Sequence, residues 1–322
     1  MFENLQNINI NKIDLHNSIY RISTDNNFAY LTESIEKDGI TTPVILKKED
    51  NDTFIIVSGY KRIASGIEAG IKKVPALLVC TNGNAEEINF LCSKLSITEN
   101  AYHRELNNVE IGKGLTLLKK FITIEEIVLN SVVFFNKTLN KKIVKDLLSV
   151  SCLDNSVHDL ILSRKLAINT ILKIKEYNFE IFNLFINIFS KVRMGQNKQL
   201  EIITNTHEIA RRDDLDLLEI LQSKKINDIL AHENNDENFK GNLLRQYLKK
   251  IRFPELTKTY ENYKNYIKQL KIEPEIKIDP PNNFEGEKYS LSFQFSNLTE
   301  FDKKIQKLVL IQKNNSLKKL FK

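Results

Sequence analysis

Between Phe54 and Gly70 the hydrophobic period of the chain changes once, and it changes at a glycine. Phe54-Ile-Ile-Val57 is an apolar, β-branched run bounded by Asn51-Asp52 and Gly59, the pattern of a short buried strand. Beyond Gly59, the residues Ile63, Ala64 and Ile67 fall at helical spacing, and Gly70 follows as a stop. A strand that turns through glycine into a helix brings backbone N–H groups and the positive end of the helix dipole to one point. Lys61 and Arg62 sit on that turn. Two readings are open on these residues alone: an anion site, for phosphate above all, or a tight turn with two solvated cations.

The turn lies within alternating strand and helix signals. Ile8 to Leu15 reads as a strand, and Phe28 to Lys37 as a helix with Phe28, Leu31 and Ile35 on one face, ended by Asp38-Gly39. Pro43 to Leu46 and Phe54 to Val57 flank the turn Glu49 to Asp52, as a hairpin or as neighbouring strands. A strand over Val74 to Val79 and a helix from Asn84 to Leu95 complete an α/β unit.

From Asn107 onward strand signals almost vanish. Asn107-Asn-Val-Glu110 is a capped start to a helix reaching Phe121, weakened by Gly112 and Gly114. Thr123-Ile-Glu-Glu126 is a capping box opening a helix to Phe135. Leu139 to Val150 places Ile143, Val144, Leu147 and Leu148 on one face and Lys141, Lys142 and Lys145 on the other. This is the outline of a helix-turn-helix, and equally of a helical hairpin with a solvated lysine face. Helical pattern continues from Asp154 to Asn187, including a buried helix over Phe179 to Phe189. Gln196 to Arg212 and Asp214 to Leu230 read as an antiparallel pair. His232 to Lys240 is the linker candidate, followed by helices over Leu243–Ile251 and Leu256–Leu270 and an extended stretch from Ile272 to Asn283. Tyr289 to Phe295 alternates as a half-buried strand before a last helix bearing Phe301, Ile305, Leu308 and Ile311. The fold class is α+β, in three parts: residues 1–105, a helical part over 106–232 with the candidate helix-turn-helix at 123–150, and a basic part over 233–322 with a strand-helix element at 286–320.

Charge is unevenly spread. Residues 240–322 carry 18 Lys and Arg against 9 Asp and Glu, whereas residues 1–239 carry 29 against 32. A basic C-terminal quarter permits contact with nucleic acid. No apolar run reaches the ~20 residues of a membrane span, and Met1-Phe-Glu-Asn-Leu-Gln6 lacks a signal peptide's basic and apolar regions. Cys80, Cys92 and Cys152 are too few and too far apart for a disulfide framework or a zinc site, which suits a reducing cytoplasm.

Several short motifs in order resemble the ParB/sulfiredoxin superfamily, and within it the ParB-type partition proteins. Gly59-Tyr-Lys-Arg-Ile-Ala-Ser65 stands where that family has Gly-Glu-Arg-Arg-x-Arg-Ala, followed by the same Ala69-Gly70 and Val74-Pro75. Leu31 to Ile35 and Asp38-Gly-Ile-Thr-Thr-Pro43 fit its helix and its Gly-x-x-Gln-Pro segment. Glu99-Asn100 and Leu106-Asn107 fit its Glu-Asn-x-x-Arg…Leu-Asn pattern. Asp154 to Ala167 looks like the segment after the family's helix-turn-helix, and Gly286 to Leu308 is similar, more loosely, to its C-terminal dimerisation element.

The resemblance implies a ParB/sulfiredoxin-like domain that binds CTP with Mg²⁺, a helix-turn-helix that reads DNA, and a homodimer in the cytoplasm, on the nucleoid. Carried over, Gly59, Lys61 and Arg62 hold the triphosphate, with Thr41, Thr42, Pro43 and Arg104 in the same pocket. Glu99 and Asn100 approach the metal, and Glu99 is the candidate catalytic carboxylate. Thr138, Lys141, Lys142 and Lys145 face DNA. A partition ATPase accompanies typical relatives and is contacted through a short N-terminal arm, for which few residues precede the first matched segment here.

The departures bear on chemistry more than on binding. Tyr60 replaces the acidic residue of the glycine turn, Ala64 its third arginine, Thr42 the glutamine, and His103 the arginine of the Glu-Asn motif, with Arg104 adjacent. The leading expectation is a nucleotide-gated DNA-binding protein of chromosome or plasmid partition, or a regulator of a mobile element. Hydrolysis, if present, is weak and Mg²⁺-dependent. Alternatives are a phosphotransferase or nuclease on the same scaffold, using Glu99 as base or metal ligand, and a helical interaction protein with a vestigial pocket. Tyr60 also stands where the sulfiredoxin turn has its cysteine, which excludes that chemistry.

Overall fold

The computed structural model describes residues 2–24, 28–49, 52–80, 83–232, 236–270, 272 and 274–312. They form two compact units, Met1–Ser190 and Lys191–Lys322.

The first unit is built on five strands: β1 (Gln6–Asn9), β2 (Ile13–Asp14), β3 (Val44–Lys48), β4 (Phe54–Ser58) and β5 (Lys73–Leu78), in the order β1-β5-β3-β4-β2. The outer β1 runs antiparallel to β5, β5 and β3 are parallel, β3 and β4 are antiparallel, and β2 is parallel to β4. The expected strand over Ile8–Leu15 is therefore two short ones. A 3₁₀ turn at Ile10–Lys12 separates them, with the Asn9 side chain accepting from the Asn11 N–H at 3.0 Å.

Apolar runs in β3 and β4 are continuous because both sheet faces are covered. On one face Val44, Leu46, Ile56, Val74, Ala76 and Leu78 pack with Ile63 of α2 (Tyr60–Glu68), beside which lies α1 (Ala29–Asp38). On the other, Ile45, Val57 and Val79 pack with Tyr20 and with Cys92 of α3 (Ala85–His103). The register of β3 on β4 shifts between Ile45 and Leu46, so that Ile45 faces Ser58 immediately before the glycine turn.

Helix α3 runs eight residues past the Leu95 end expected for it. Past Leu95 its buried apolar residues are only Ile97 and Ala101, one turn apart, beside buried Ser96, whose hydroxyl donates to the Tyr20 carbonyl at 2.5 Å. The helical part continues with α4 (Asn108–Leu118), α5 (Ile124–Leu129), α6 (Ser131–Phe135), α7 (Lys141–Ser151), α8 (Asn155–Leu162), α9 (Ile168–Ile174) and α10 (Phe179–Ser190). The expected capping box at Thr123/Glu126 is formed, and the expected cap at Asn107 proves to be a second box with Glu110. The single helix expected from Thr123 to Phe135 is divided at Asn130, whose side chain donates to the Glu126 carbonyl at 2.9 Å and competes with helix continuation. Gly112 and Gly114 do not weaken α4 but let it pack closely. A Cβ at 112 would stand 3.0 Å from the Leu147 carbonyl of α7, and one at 114 would stand 2.9 Å from the Phe135 ring.

The second unit holds α11 (Gln196–Asp213), α12 (Leu217–Leu221), α13 (Lys224–Ala231), α14 (Glu237–Arg252), α15 (Pro254–Leu270), a two-stranded antiparallel sheet of β6 (Ile276–Asp279) and β7 (Ser290–Phe293), and α16 (Leu298–Gln312). The helix expected over Asp214–Leu230 is two helices, because Asp214 is left-handed at φ 54° and a Gln222-Ser223 break follows α12. The pairing expected of it goes instead to α14, whose Arg245 meets Glu201 of α11 at 2.5 Å. The expected linker over 232–240 is shortened by the start of α14 at Glu237, and its residues 233–235 lie outside the described ones. Strand β7 is also less buried than its alternation suggests, with Leu291 exposed.

Candidate functional site

The glycine turn opens onto a cavity of about 360 Å³ in the first unit. Gly59 is the residue before the first turn of α2 and adopts φ 105°, ψ 19°, a left-handed conformation that favours glycine. A Cβ there would also meet Val44 Cγ1 at 2.7 Å. Both the backbone and the space around it therefore require glycine. The first N–H groups of a helix have no intrahelical acceptor, so the start of α2 presents donors and a partial positive charge beside Lys61 and Arg62.

Of the residues expected at the site, Thr42, Gly59, Lys61, Arg62, Glu99, Asn100 and Arg104 line this cavity, and Thr41 does not. Pro43 contributes through its backbone: Arg62 Nη1 donates to the carbonyls of Thr42 at 2.9 Å and Pro43 at 2.6 Å. Burial lowers the Arg62 guanidinium from its usual range, opposed by the carboxylate of Glu99. Glu99 and Asn100 come from the part of α3 that extends past Leu95. Glu99 Oε2 stands 3.6 Å from His103 Nε2 one turn on, and Asn100 Nδ2 donates to the Ser96 carbonyl at 2.8 Å. The amide nitrogen is thus anchored to the helix, leaving the oxygen as the polar atom suited to a cation.

Tyr60 also lines the cavity, but its hydroxyl is engaged within the fold. Its hydroxyl lies 3.0 Å from the Ile56 carbonyl and 3.2 Å from that of Asn17, its ring lies under Arg21 with 5.6 Å from guanidinium carbon to centroid, and burial raises its pKa. It is a structural strut where the family motif has an acid. Arg104 lines the cavity but its guanidinium is bidentate on Glu110, at 2.7 and 2.8 Å. Glu110 is fully buried and also accepts from the Thr24 N–H at 3.0 Å and the Asn107 N–H at 3.1 Å. This knot joins the end of α3, the start of α4 and the segment leading to the cavity wall at Tyr20, Ile22 and Ser23.

Tyr20, Ser23, Tyr30, Ser58 and Ser96 also line the cavity and were missed from sequence. Only Tyr30 carried a signal, as an aromatic residue lying off the Phe28/Leu31/Ile35 stripe of α1. Among the described residues there is no cluster of three His, Cys, Asp or Glu that could cage a metal. Glu99 with the amide oxygen of Asn100 fits a hard cation that takes its remaining ligands from phosphate and water.

The residues expected to face DNA form a separate surface. Thr138, Lys141, Lys142 and Lys145 are exposed, at and after the turn that precedes α7. Asn140 caps that helix, its side chain accepting from the Ile143 N–H at 2.9 Å. Lys141 is paired with Glu125 of α5 at 2.5 Å.

Residues 2–92 match the model of the family described as the ParB N-terminal domain. Over 84 residues the chain is 31% identical to the chromosome-partitioning protein ParB of Myxococcus xanthus, a match covering 26% of this chain and 26% of that one. The chain thus spans about a quarter of the length of that curated relative. It is similar to the C-terminally truncated ParB of Caulobacter crescentus complexed with CTP-γ-S, at 19% identity and a TM-score of 0.27, over 56% of this chain and 96% of that one. It is also similar to C-terminally truncated ParB from the same organism complexed to the centromeric parS site, at 17% identity and a TM-score of 0.33, over 57% of this chain and 91% of that one.

Proposed function

We propose, on the match of residues 2–92 to the ParB N-terminal domain family, that this chain is a nucleotide-responsive DNA-binding protein of partition, or of the regulation of a mobile element. One observation carries the reading. The helix start at Gly59, the cations Lys61 and Arg62, and the oxygen donors Glu99 and Asn100 all line one cavity. Phosphate meets N–H donors and cations on one wall, and a divalent ion bridging the phosphates meets a carboxylate and an amide oxygen from α3.

CTP is the nucleotide that the family resemblance names, and Mg²⁺ is the ion suited to this donor pair. Glu99 and Asn100 would hold that ion, which would neutralise phosphate charge. Lys61 and the first turn of α2 take the phosphates, while Arg62 fixes the turn to the Thr42-Pro43 backbone. Tyr60, held by two carbonyls, supplies no carboxylate to orient water, so the site binds nucleotide and turns it over slowly or not at all. DNA is taken by the lysine face of α7. Self-association is supported by the exposed Leu291, Phe295, Leu298 and Leu310 around β7 and α16.

Filter binding at low salt, with and without CTP and Mg²⁺, tests the reading. The expected result is DNA retention that changes with CTP and falls steeply with added salt. Absence of DNA retention under all of these conditions would overturn it.

A further inference from the structure

Phosphate chemistry accounts for one wall of the cavity and leaves another without a role. A nucleotide also carries a base, whose faces need a flat apolar partner. Three tyrosines line the cavity, Tyr20, Tyr30 and Tyr60. Two of them are engaged in the fold: Tyr20 is buried with its hydroxyl on Asn89 Oδ1 at 2.7 Å, and Tyr60 is held by the carbonyls of Ile56 and Asn17.

Tyr30 is different. It lies in the first turn of α1 and is 70% exposed, the most solvent-open of the three. Helix α1 is fixed without it, through buried Ile35 and through Thr32 Oγ1 donating to Glu68 Oε2 at 2.9 Å. A lone exposed aromatic on a helix is ordinary. This one shares a cavity with a glycine turn built for anions, and Leu31 beside it extends the apolar wall.

We infer that Tyr30 is the base platform of the site, its ring stacking on the nucleobase of a nucleotide whose phosphates meet the Gly59–Arg62 turn. The inference rests on the nucleotide reading of this cavity and adds to it the group that distinguishes a nucleotide from a bare polyphosphate. Stacking needs only a π face, so the contribution of Tyr30 is similar for CTP and ATP.

The test compares the wild-type chain, Tyr30→Phe and Tyr30→Ala by equilibrium titration with CTP and with inorganic tripolyphosphate. Thermal melts confirm that the exposed substitution leaves folding intact. Tyr30→Ala is expected to weaken CTP about tenfold and Tyr30→Phe less than about twofold, with tripolyphosphate affinity the same in all three. In Tyr30→Trp, the sole indole of a chain that has no tryptophan, saturating CTP quenches the emission and tripolyphosphate does not. Equal CTP affinity in wild type and Tyr30→Ala, an equal loss for tripolyphosphate, or unchanged Tyr30→Trp emission at saturating CTP overturns the inference while the nucleotide reading stands. A wild-type chain that binds neither ligand overturns both.

Discussion

Two turns in the first unit open a helix and carry cations, and they differ in what surrounds them. At Gly59 the turn is concave: α3 supplies Glu99 and Asn100 to the same cavity, and Arg62 is tied to the carbonyls of Thr42 and Pro43. At α7 the turn is convex, with Thr138, Lys142 and Lys145 exposed and Lys141 paired with Glu125. Charges held in a cavity can order a small ligand, whereas exposed lysines act on a polyanion through counterion release. The two regions are linked through the Arg104–Glu110 knot, since α3 lines the cavity and α4 packs on α7.

The largest effect comes from breaking that link. Glu110→Ala takes the carboxylate acceptor from Arg104 and from the Thr24 and Asn107 N–H groups and should cost about 3–5 kcal/mol of stability in all, seen as a large fall in Tm with loss of both nucleotide and DNA binding. The same knot sets an acid response. Burial alone would raise the Glu110 pKa, but hydrogen bonds from Arg104, Thr24 and Asn107 outweigh it and hold the carboxyl below its ordinary 4.5. A carboxyl with a lowered folded-state pKa contributes stability that is present above 4.5 and lost as pH falls through the folded value. Melting curves of wild type should therefore decline in that acidic range, and Glu110→Gln should show a lower but flatter profile.

Gly59→Ala acts on the concave turn alone. Contact with Val44 and the left-handed backbone should together cost about 2–4 kcal/mol, with nucleotide binding lost in whatever fraction remains folded. If Gly59→Ala were as stable as wild type, the geometric account of the turn would be wrong.

Lys142→Ala with Lys145→Ala acts on the convex turn alone. Exposed substitutions of this kind change stability by less than about 0.5 kcal/mol. The salt slope of DNA binding should fall by about 0.9 per lysine that neutralises a phosphate, with CTP affinity unchanged. A slope identical to wild type would leave α7 as a solvated helix face.

What the sequence revealed tracks how local each signal is. Strands β3, β4 and β5 and helix α2 were legible because short apolar runs flank one glycine, and the helix caps because each closes within four residues. Past Leu95, helix α3 buries only Ile97, Ala101 and the polar Ser96, too short an apolar stripe to extend the helix from sequence. Gly112 and Gly114 looked like weak points because their close neighbours, Leu147 and Phe135, are distant in sequence. For the same reason Glu110 was visible as a cap and not as the buried partner of Arg104. At the site, the glycine turn could be read from the residues, whereas Glu99-Asn100 and its place beside that turn were expected only from the family resemblance, since nothing local links positions forty residues apart.

The central claim is that the cavity at Gly59 binds a nucleotide through the first turn of α2. Titration of CTP with Mg²⁺ into wild type and Lys61→Ala by calorimetry tests it most directly. Saturable binding to wild type, weakened at least about tenfold by loss of the charge-assisted phosphate contact with an unchanged Tm, is the predicted result. The absence of CTP binding to a folded wild-type chain, or equal binding by Lys61→Ala, would contradict it.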